Sequence, residues 1–205
     1  VIENEKTFHD LYQAGKGFGH FQKMLREFPV DPLYETIPDF HHTPKRVLAL
    51  KQAIADNHAE RAELIRDDIA QALKYEGLSE LIISGIERGE IPIRVTHNDT
   101  KINNILFDRL SGEAVCVIDL DTVMPGSMLY DFGDALRMGA STGAEDEVDL
   151  SKVEFDTEAF RQFAKGYLEE MREELTEKEI ELLPESAAIL TYECGIRFLT
   201  DYLNG

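Results

Sequence analysis

The segment THNDTKINN, at residues 96–104, holds three side chains whose types and spacing could do chemistry. Asp99 stands two residues after His97, and Asn104 follows five residues after Asp99. A carboxylate at this position can accept the proton of an attacking hydroxyl. An amide oxygen a short turn away can bind the magnesium ion that bridges the phosphates of ATP. The H-x-D-x4-N spacing therefore predicts phosphoryl transfer, with Asp99 as the base and Asn104 on the metal.

This chemistry needs a second metal-binding group, and the segment IDLDTVMPGSMLYDFGD at 118–134 offers four aspartates. The runs NNILFD and EAVCVID, joined by R-L-S-G, predict a β-hairpin. That hairpin would return Asp119 to the neighbourhood of Asn104, which makes Asp119 the predicted magnesium ligand. Asp121, two residues on and on the same strand face, is a second or water-mediated candidate.

The triplet D-F-G at 131–133 is the one by which protein kinases hold magnesium, but here it falls twelve residues after Asp119, inside a predicted helix. It cannot serve the hairpin, so its likeness to the kinase triplet is interpreted as accidental. Asp131 is instead predicted to be a buried acceptor that, together with His97, supports the catalytic loop. Asp134 is interpreted as a solvated helix residue.

Helical periodicity on both sides of this short β region predicts a single α+β domain that is mostly α, with a small β-hairpin carrying the catalytic and metal residues. The predicted helices cover residues 8–28, 43–77, 78–88, 128–139, 157–171 and 177–203. Pro184 is expected to break or restart the last one. The glycines of G-K-G-F-G at 15–19 are interpreted as helix-packing residues rather than a phosphate loop, because no strand precedes them. His58 is predicted to lie in the core or at a pocket edge.

The composition limits the classes of molecule that this protein could bind. The 205 residues are 43% hydrophobic, which suffices for a core, and carry a formal net charge of −19. That charge argues against nucleic acid or an anionic membrane as a partner, and any handling of ATP would require magnesium or a local cluster of cations. The sequence has no signal-peptide pattern and no run of 18 apolar residues, so we expect a cytoplasmic protein. Cys116 and Cys194, both in apolar contexts, are predicted to be buried free thiols.

The segments HNDTKINNILFD, VCVIDLD and YDFGDALR resemble the C-terminal lobe of the protein-kinase-like group that contains the aminoglycoside phosphotransferases and choline kinases. The resemblance extends over nearly the whole chain. Within the group, HNDTKINN and CVIDLDTVMPG are most similar to the N-acetylhexosamine 1-kinases, which phosphorylate the anomeric hydroxyl of N-acetylglucosamine or N-acetylgalactosamine. The resemblance implies ATP as co-substrate, Asp99 as catalytic base, Asn104 and Asp119 as magnesium ligands, and Arg197 in contact with the sugar.

The same segments depart from those of protein kinases. Asn98 stands where their catalytic triplet has arginine, and no A-P-E follows, which favours a small-molecule acceptor over a protein. There are two alternatives to a sugar kinase. One is a choline- or aminoglycoside-type kinase, and the other is a kinase-like fragment that acts only as a binding module.

Two further acceptor-binding candidates lie far from this loop in sequence. Arg197 is four residues from both Glu193 and Asp201, a spacing that also describes a surface ion-pair ladder. Apolar residues share its helix face, which favours a place at the edge of a pocket. His41, in the proline-rich segment 29–42, is predicted to line the same pocket.

The sequence upstream of the catalytic loop shows no glycine-rich loop between strands and no strand lysine to pair the ATP phosphates. Residues 1–205 are therefore interpreted as one C-terminal lobe, with the ATP-binding N-terminal lobe absent from this chain. Because that lobe supplies half of the positioning and charge neutralisation, we expect this chain alone to bind nucleotide weakly and to have no useful turnover.

Overall fold

The computed structural model describes residues 6–143 and 147–205, which form a mostly helical α+β domain, as predicted. Its α-helices are α1 (Phe8–Met24), α2 (Thr43–Asp56), α3 (Arg66–Lys74), α4 (Glu80–Glu87), α5 (Met128–Gly139), α6 (Thr157–Met171) and α7 (Glu177–Asn204). Its strands are β1 (Arg94–Thr96), β2 (Ile105–Phe107), β3 (Ala114–Val117) and β4 (Met124–Gly126). Within the described ranges, no helix combines the length and the apolar character that crossing a bilayer requires.

The four short strands form two antiparallel pairs, which together frame the catalytic loop. In the β2–β3 hairpin Ile105 lies opposite Val117, and in the other pair Val95 of β1 lies opposite Pro125 of β4. Strand β4 was not predicted, because its sequence Met-Pro-Gly lacks a strand pattern. Proline is tolerated there because a two-stranded sheet consists of edge strands only. The pairing of β1 with β4 brings the start of α5 next to the loop that follows β1.

Helices α1 and α6 pack so closely that their backbones touch. A Cβ atom on Gly15 would lie 2.1 Å from the carbonyl oxygen of Phe163, and one on Gly166 would lie 2.0 Å from the carbonyl oxygen of Tyr12. Only glycine fits at such approaches. The interpretation of the segment 15–19 as part of a packing helix is therefore confirmed.

Helix α5 lies at the centre of the main core and packs against α7. Its residues Met128, Phe132 and Leu136 are fully buried. The predicted break at Pro184 is wrong, because α7 runs without interruption from Glu177 to Asn204. Proline removes one backbone donor from a helix, but burial of the neighbouring apolar side chains on α7 outweighs that loss.

A smaller core joins α2 and α3 to the C-terminal part of α7, through Val47, Leu50, Ile69, Ile196 and Leu203. The single helix predicted over 43–77 is wrong, because α2 ends at Asp56 and the next residue, Asn57, has a left-handed backbone with φ of 44°. The Asn57 side chain stabilises the turn by accepting a hydrogen bond from the backbone N–H of Ala62, at 2.9 Å. The prediction for His58 is also wrong: it follows this turn, with 69% of its side chain exposed.

Cys116 lies on the outer face of the β2–β3 hairpin and is exposed, so the prediction of a buried thiol is wrong at this position. The apolar run that suggested burial is covered by α1 on one side only, and Val115 beside it is 63% exposed. Cys194 is partly buried, and both thiols are free.

Candidate active site

The loop between β1 and β2 is held from below by the carboxylate of Asp131, at the N-terminal end of α5. Its Oδ2 accepts a hydrogen bond from the backbone N–H of His97 at 2.9 Å, and its Oδ1 accepts one from the N–H of Asn98 at 2.7 Å. The side-chain amide of Gln22, from α1, also donates to Oδ2. Burial raises the pKa of Asp131, and these hydrogen bonds, together with nearby His97, oppose the rise. Asp131 is 2% exposed and therefore acts on the loop's backbone rather than on solvent.

A second carboxylate of α5, that of Asp134, holds the next part of the loop. Its Oδ2 accepts a hydrogen bond from the backbone N–H of Thr100 at 3.0 Å, and its Oδ1 pairs with Arg137 at 3.1 Å. Asp134 is only 7% exposed, so its interpretation as a solvated residue is wrong. The signal was present in the sequence, because positions three apart share a helix face, and Asp131 was already assigned to the loop.

His97 connects the loop to the far end of the hairpin. Its Nδ1 accepts a hydrogen bond from the backbone N–H of Asp99 at 3.3 Å, so its Nε2–H donates to the carbonyl oxygen of Ile118 at 3.0 Å. The rings of Phe18 and Phe21 contact the imidazole edge-on, with centroids 5.8 and 5.7 Å away. The ring is thereby fixed in one orientation and one tautomer.

The side chain of Asp99 has one oxygen engaged and one open. Its Oδ2 accepts hydrogen bonds from Lys101 Nζ at 2.8 Å and from Asn104 Nδ2 at 3.0 Å. The hydrogen bond that Lys101 donates to Asp99 raises the pKa of Lys101. Among the described residues, Asp99 Oδ1 has no hydrogen-bond partner, and it belongs to a side chain that is 31% exposed. One oxygen is therefore oriented by the protein, while the other is open within the described residues.

Asn104 is oriented by the same group, because its Nδ2 also donates to the carbonyl oxygen of Asp99 at 2.8 Å. This contact fixes which end of the amide faces the backbone and leaves Oδ1 as the end that can bind a cation. The backbone N–H of Ile118 donates to the carbonyl oxygen of Asn104 at 2.9 Å, so the end of the hairpin lies beside it.

Asp119 immediately follows that contact and has a left-handed backbone, with φ of 64°. Its carboxylate is exposed and has no hydrogen bond or ion pair with any residue in the described part of the chain. Asp121 is also exposed but lies in the 3-10 turn Leu120–Thr122, so its placement on the same strand face as Asp119 is wrong. The chain leaves the strand at Val117, and the alternation of faces ends with it.

These oxygen donors fit magnesium rather than a transition metal. The described residues 6–143 and 147–205 bring together no group of three or more His, Cys, Asp or Glu side chains that could hold a metal ion. Two protein oxygens nevertheless suit magnesium, which usually completes its shell with water and substrate phosphates.

A cavity of ≈ 300 Å³ opens next to Asp99, and its lining includes Arg197, His41, Lys101 and Asp134. It brings together side chains from the catalytic loop, α5, α7 and the segment before α2. Arg197 is exposed, and its guanidinium carbon lies 5.1 Å from the centroid of the Phe198 ring. No carboxylate among the described residues pairs with it, so the alternative of an ion-pair ladder along α7 is not what the structure has.

Glu193 instead turns inward and lines this cavity. It is 4% exposed and accepts hydrogen bonds from His41 Nδ1 at 2.8 Å and from Thr43 Oγ1 at 2.6 Å. Burial alone would raise the pKa of Glu193, but these hydrogen bonds and the charge of Arg46 outweigh it and the pKa lies below its ordinary value.

Sequence reasoning missed Lys101 and Glu193. For Lys101 the signal was its place two residues after Asp99, where a cation can neutralise the base and the phosphates near it. For Glu193, the helical periodicity of α7 was compatible with a side chain on the surface or in the pocket. His41, the partner that holds it in the pocket, is 152 residues away in sequence.

The chain is similar to known proteins in sequence and in structure. A sequence model described as the phosphotransferase enzyme family (APH) matches residues 3–176, more than half of the chain. The solved structure of the ADP-bound aminoglycoside phosphotransferase APH(2'')-Ib is 19% identical with a TM-score of 0.47, covering 98% of this chain and 69% of that one. The streptomycin–ATP complex of APH(2")-IIa is 18% identical with a TM-score of 0.46, covering 98% of this chain and 68% of that one.

Proposed function

Because the chain belongs to the phosphotransferase enzyme family, we propose that it is the protein-kinase-like C-terminal lobe of an enzyme that transfers the γ-phosphate of ATP to a hydroxyl of a small molecule. The observation that carries the proposal is how the carboxylate of Asp99, which lines the cavity, is held. Its Oδ2 is held by Lys101 and Asn104, while its Oδ1 has no partner among the described residues.

In this proposal Asp99 is the catalytic base. Its Oδ1 accepts the proton of the acceptor hydroxyl, whose oxygen attacks the γ-phosphorus of ATP. The bond from that phosphorus to the bridging oxygen breaks, and ADP leaves with the electron pair. His97 and Asp131 support the loop that carries the base, and Lys101 places a positive charge beside the reacting groups.

Asn104 and Asp119 would hold magnesium, with Asp121 able to contribute through a water molecule. The amide oxygen of Asn104 and the carboxylate of Asp119, which have no hydrogen-bond partner in the part of the chain that the structure describes, are donors of the kind that this ion prefers. When bound, magnesium neutralises charge on the nucleotide phosphates. This requirement is strong in a protein whose net charge of −19 repels ATP.

The acceptor is proposed to be an N-acetylhexosamine phosphorylated at its anomeric 1-hydroxyl, with Arg197 and His41 in contact with the sugar. The cavity volume of ≈ 300 Å³ lies at the small end of the range of about 300–1,000 Å³ for ligand sites, which suits a single sugar ring. The motifs HNDTKINN and CVIDLDTVMPG support the same substrate class.

The charge lining the cavity supports a neutral acceptor over a cationic one. Among the described residues, four cationic side chains line it, against three anionic ones: Arg46, Lys101, Arg137 and Arg197, with Asp99, Asp134 and Glu193. Three of these cations pair with the three anions, so within this set only Oδ1 of Asp99 is an open carboxylate oxygen. A polycationic aminoglycoside would need an excess of negative charge, and a quaternary ammonium such as choline would need several aromatic faces.

The ATP-binding N-terminal lobe is proposed to complete the site. The described residues contain no glycine-rich loop between two strands, so they offer the phosphates only the groups around Asp99 and Asp119. We therefore expect the 205-residue chain to fold around its own cores but to bind nucleotide weakly and to show no useful turnover by itself.

An ADP-release assay tests the proposed reaction. The protein expressed from its complete gene is incubated with ATP, magnesium and, in turn, N-acetylglucosamine, N-acetylgalactosamine, glucose, choline and an aminoglycoside. We expect release with an N-acetylhexosamine and loss of release when the sugar is blocked at its 1-hydroxyl. Faster turnover of choline or the antibiotic than of every sugar would overturn the acceptor. The 205-residue chain is assayed in parallel, and measurable turnover by it would overturn the need for a second lobe.

A further inference from the structure

The imidazole of His41 is buried in the wall of the cavity and uses only one of its two nitrogens. Its side chain is 10% exposed, and its Nδ1 lies 2.8 Å from Glu193 Oε1. Its Nε2 is buried and has no hydrogen-bond partner among the described residues. Nearly all buried polar atoms in proteins are paired, so a group that lacks a partner needs an explanation.

The contacts of Glu193 decide which nitrogen of His41 carries the proton. Thr43 Oγ1 donates to Glu193 Oε2 at 2.6 Å, and Arg46 Nε lies 3.5 Å from Oε1. A carboxylate surrounded by donors is ionised and can only accept. The proton of a neutral His41 therefore sits on Nδ1, and its Nε2 presents a lone pair.

The ring cannot turn to relieve this state. It stacks on Tyr130, with centroids 4.8 Å apart and planes 29° apart, and Phe40 meets it edge-on at 4.6 Å. Flipping the ring would put Cδ2 where Nδ1 now lies and would break the hydrogen bond to Glu193. The residues around it thus present one fixed acceptor.

We propose that Glu193 is a positioning residue that holds His41 in the tautomer whose Nε2 accepts a hydrogen bond from a hydroxyl of the bound acceptor. The inference rests on the proposed function and names the chemistry by which that site recognises a sugar. Nε2 is buried, and Phe40 abuts His41 and lines the same cavity, so the proposal requires this ring to turn aside when the acceptor binds. The site then selects a ligand that carries a donor at one position of its ring and rejects the analogue that lacks it.

The test uses His41→Asn, whose amide reaches the place of Nδ1 and keeps the hydrogen bond to Glu193 but has no atom at Nε2. His58→Asn, at a histidine that is 69% exposed, is the matched control. Wild type and variants are assayed with N-acetylglucosamine and with its 3-deoxy, 4-deoxy and 6-deoxy analogues, and sugar binding without nucleotide is measured by calorimetry. Thermal melting reports on the fold of each variant.

We expect His41→Asn to raise KM for the sugar about 10- to 100-fold while leaving KM for ATP unchanged. With the wild type, KM for one of the deoxy analogues should exceed that for N-acetylglucosamine by the same factor. With His41→Asn, that analogue and N-acetylglucosamine should have the same KM. His41→Gln, whose amide oxygen reaches the place of Nε2, should recover part of the discrimination. Glu193→Gln should weaken the discrimination against that deoxy analogue and raise KM for the sugar, because a glutamine amide can donate to Nδ1 and so favours the tautomer whose Nε2 carries the proton.

The outcomes separate the two proposals. If the wild type phosphorylates a sugar but His41→Asn handles every analogue as the wild type does, the role of His41 is wrong and the proposed function stands. Equal losses for all three deoxy analogues with His41→Asn would also overturn that role, since a structural defect does not single out one hydroxyl. If the wild type neither binds nor phosphorylates any sugar, the proposed acceptor is wrong, and this inference falls with it.

Discussion

The catalytic loop at 97–104 and the turn at 118–122 carry the two halves of the candidate site, and they are built differently. Beneath the loop, Asp131 and Asp134 are buried, and each accepts hydrogen bonds from the loop's backbone. In the turn, Asp119 and Asp121 are exposed, and Asp119 has no partner among the described residues. The carboxylates beneath the loop are fixed by hydrogen bonds to its backbone, whereas those in the turn are left open to solvent.

The difference follows from what each half has to do. A base must be held within a fraction of an ångström of the hydroxyl that it deprotonates, and buried carboxylates beneath its loop give that rigidity without reorganisation during the reaction. A metal ligand is oriented by the ion and the phosphates when they bind, so its side chain needs proximity rather than rigid support. Substitutions of the carboxylates in and beneath the loop should therefore act on base or fold, and those of the carboxylates in the turn chiefly on metal dependence.

The largest effect is expected from Asp99→Asn, which keeps the shape of the side chain and removes its basicity. Turnover should fall about 10²- to 10⁴-fold, the usual contribution of a general base. The melting temperature should stay near that of the wild type, because Oδ1 makes no contact within the described residues. Steady-state kinetics and thermal melting check both halves of this expectation, and retention of full turnover would show that another group is the base.

The next largest effect is expected from Asp119→Ala. Losing a charged ligand should lower turnover roughly a hundredfold and raise the magnesium concentration needed for half-maximal rate. The free energy of unfolding should fall by only about 1 kcal/mol, because alanine tolerates the left-handed backbone at this position less well than aspartate. The carboxylate itself is exposed and makes no hydrogen bond or ion pair within the described residues. Asp121→Ala is the matched control, two residues away and equally exposed, and should show a smaller shift in the magnesium titration. Equal effects of the two variants would make the assignment of Asp119 wrong.

Asp131→Ala should act on the fold rather than on the metal. It strands the backbone N–H groups of His97 and Asn98 in the interior and should lower the free energy of unfolding by about 2–5 kcal/mol. Urea titrations measure the loss, and magnesium titrations on the folded fraction should match the wild type. A variant of wild-type stability that has lost its magnesium dependence would reverse the roles assigned to the two regions.

The smallest effect concerns pH and Glu193. Its pKa in the folded protein lies below the unfolded value of about 4.3. Its stabilising contribution is therefore present above that value and is lost as pH falls through the folded pKa. The difference in free energy of unfolding between the wild type and Glu193→Gln should shrink from pH 7 to pH 3. A difference that grows on acidification would contradict the direction of this shift.

The fold class and the hairpin that follows the loop could be predicted from local signals, and the proposed chemistry of the loop stays a prediction. The spacing from His97 to Asn104 and the apolar runs of the hairpin are properties of short segments, and so is the glycine pattern of α1. Side-chain partners that lie far apart in sequence could not be predicted. Gln22 is 109 residues from Asp131, and periodicity gave no reason to pair them.

The predictions that proved wrong also failed because they depended on contacts between parts of the chain that local sequence does not report. The helical pattern over 43–77 continues through Asn57, and only the side-chain contact of Asn57 with Ala62 shows that the chain turns there. The apolar context of Cys116 says nothing about which side of the hairpin is covered. The local sequence pattern indicates which secondary structure and which burial a segment favours. Packing against elements that are distant in sequence decides whether the segment adopts them.

The anchoring of the loop by Asp131 also sets the order in which the protein can acquire its activity. The partners of this carboxylate are 34, 33 and 109 residues away, so the loop takes its shape only after three separate parts of the chain have met. Contacts of such long range are entropically costly to close and form late, whereas single helices form within about a microsecond. In a refolding experiment, helical circular dichroism should return first and sugar binding last, with an interval during which the chain is compact but has no working site.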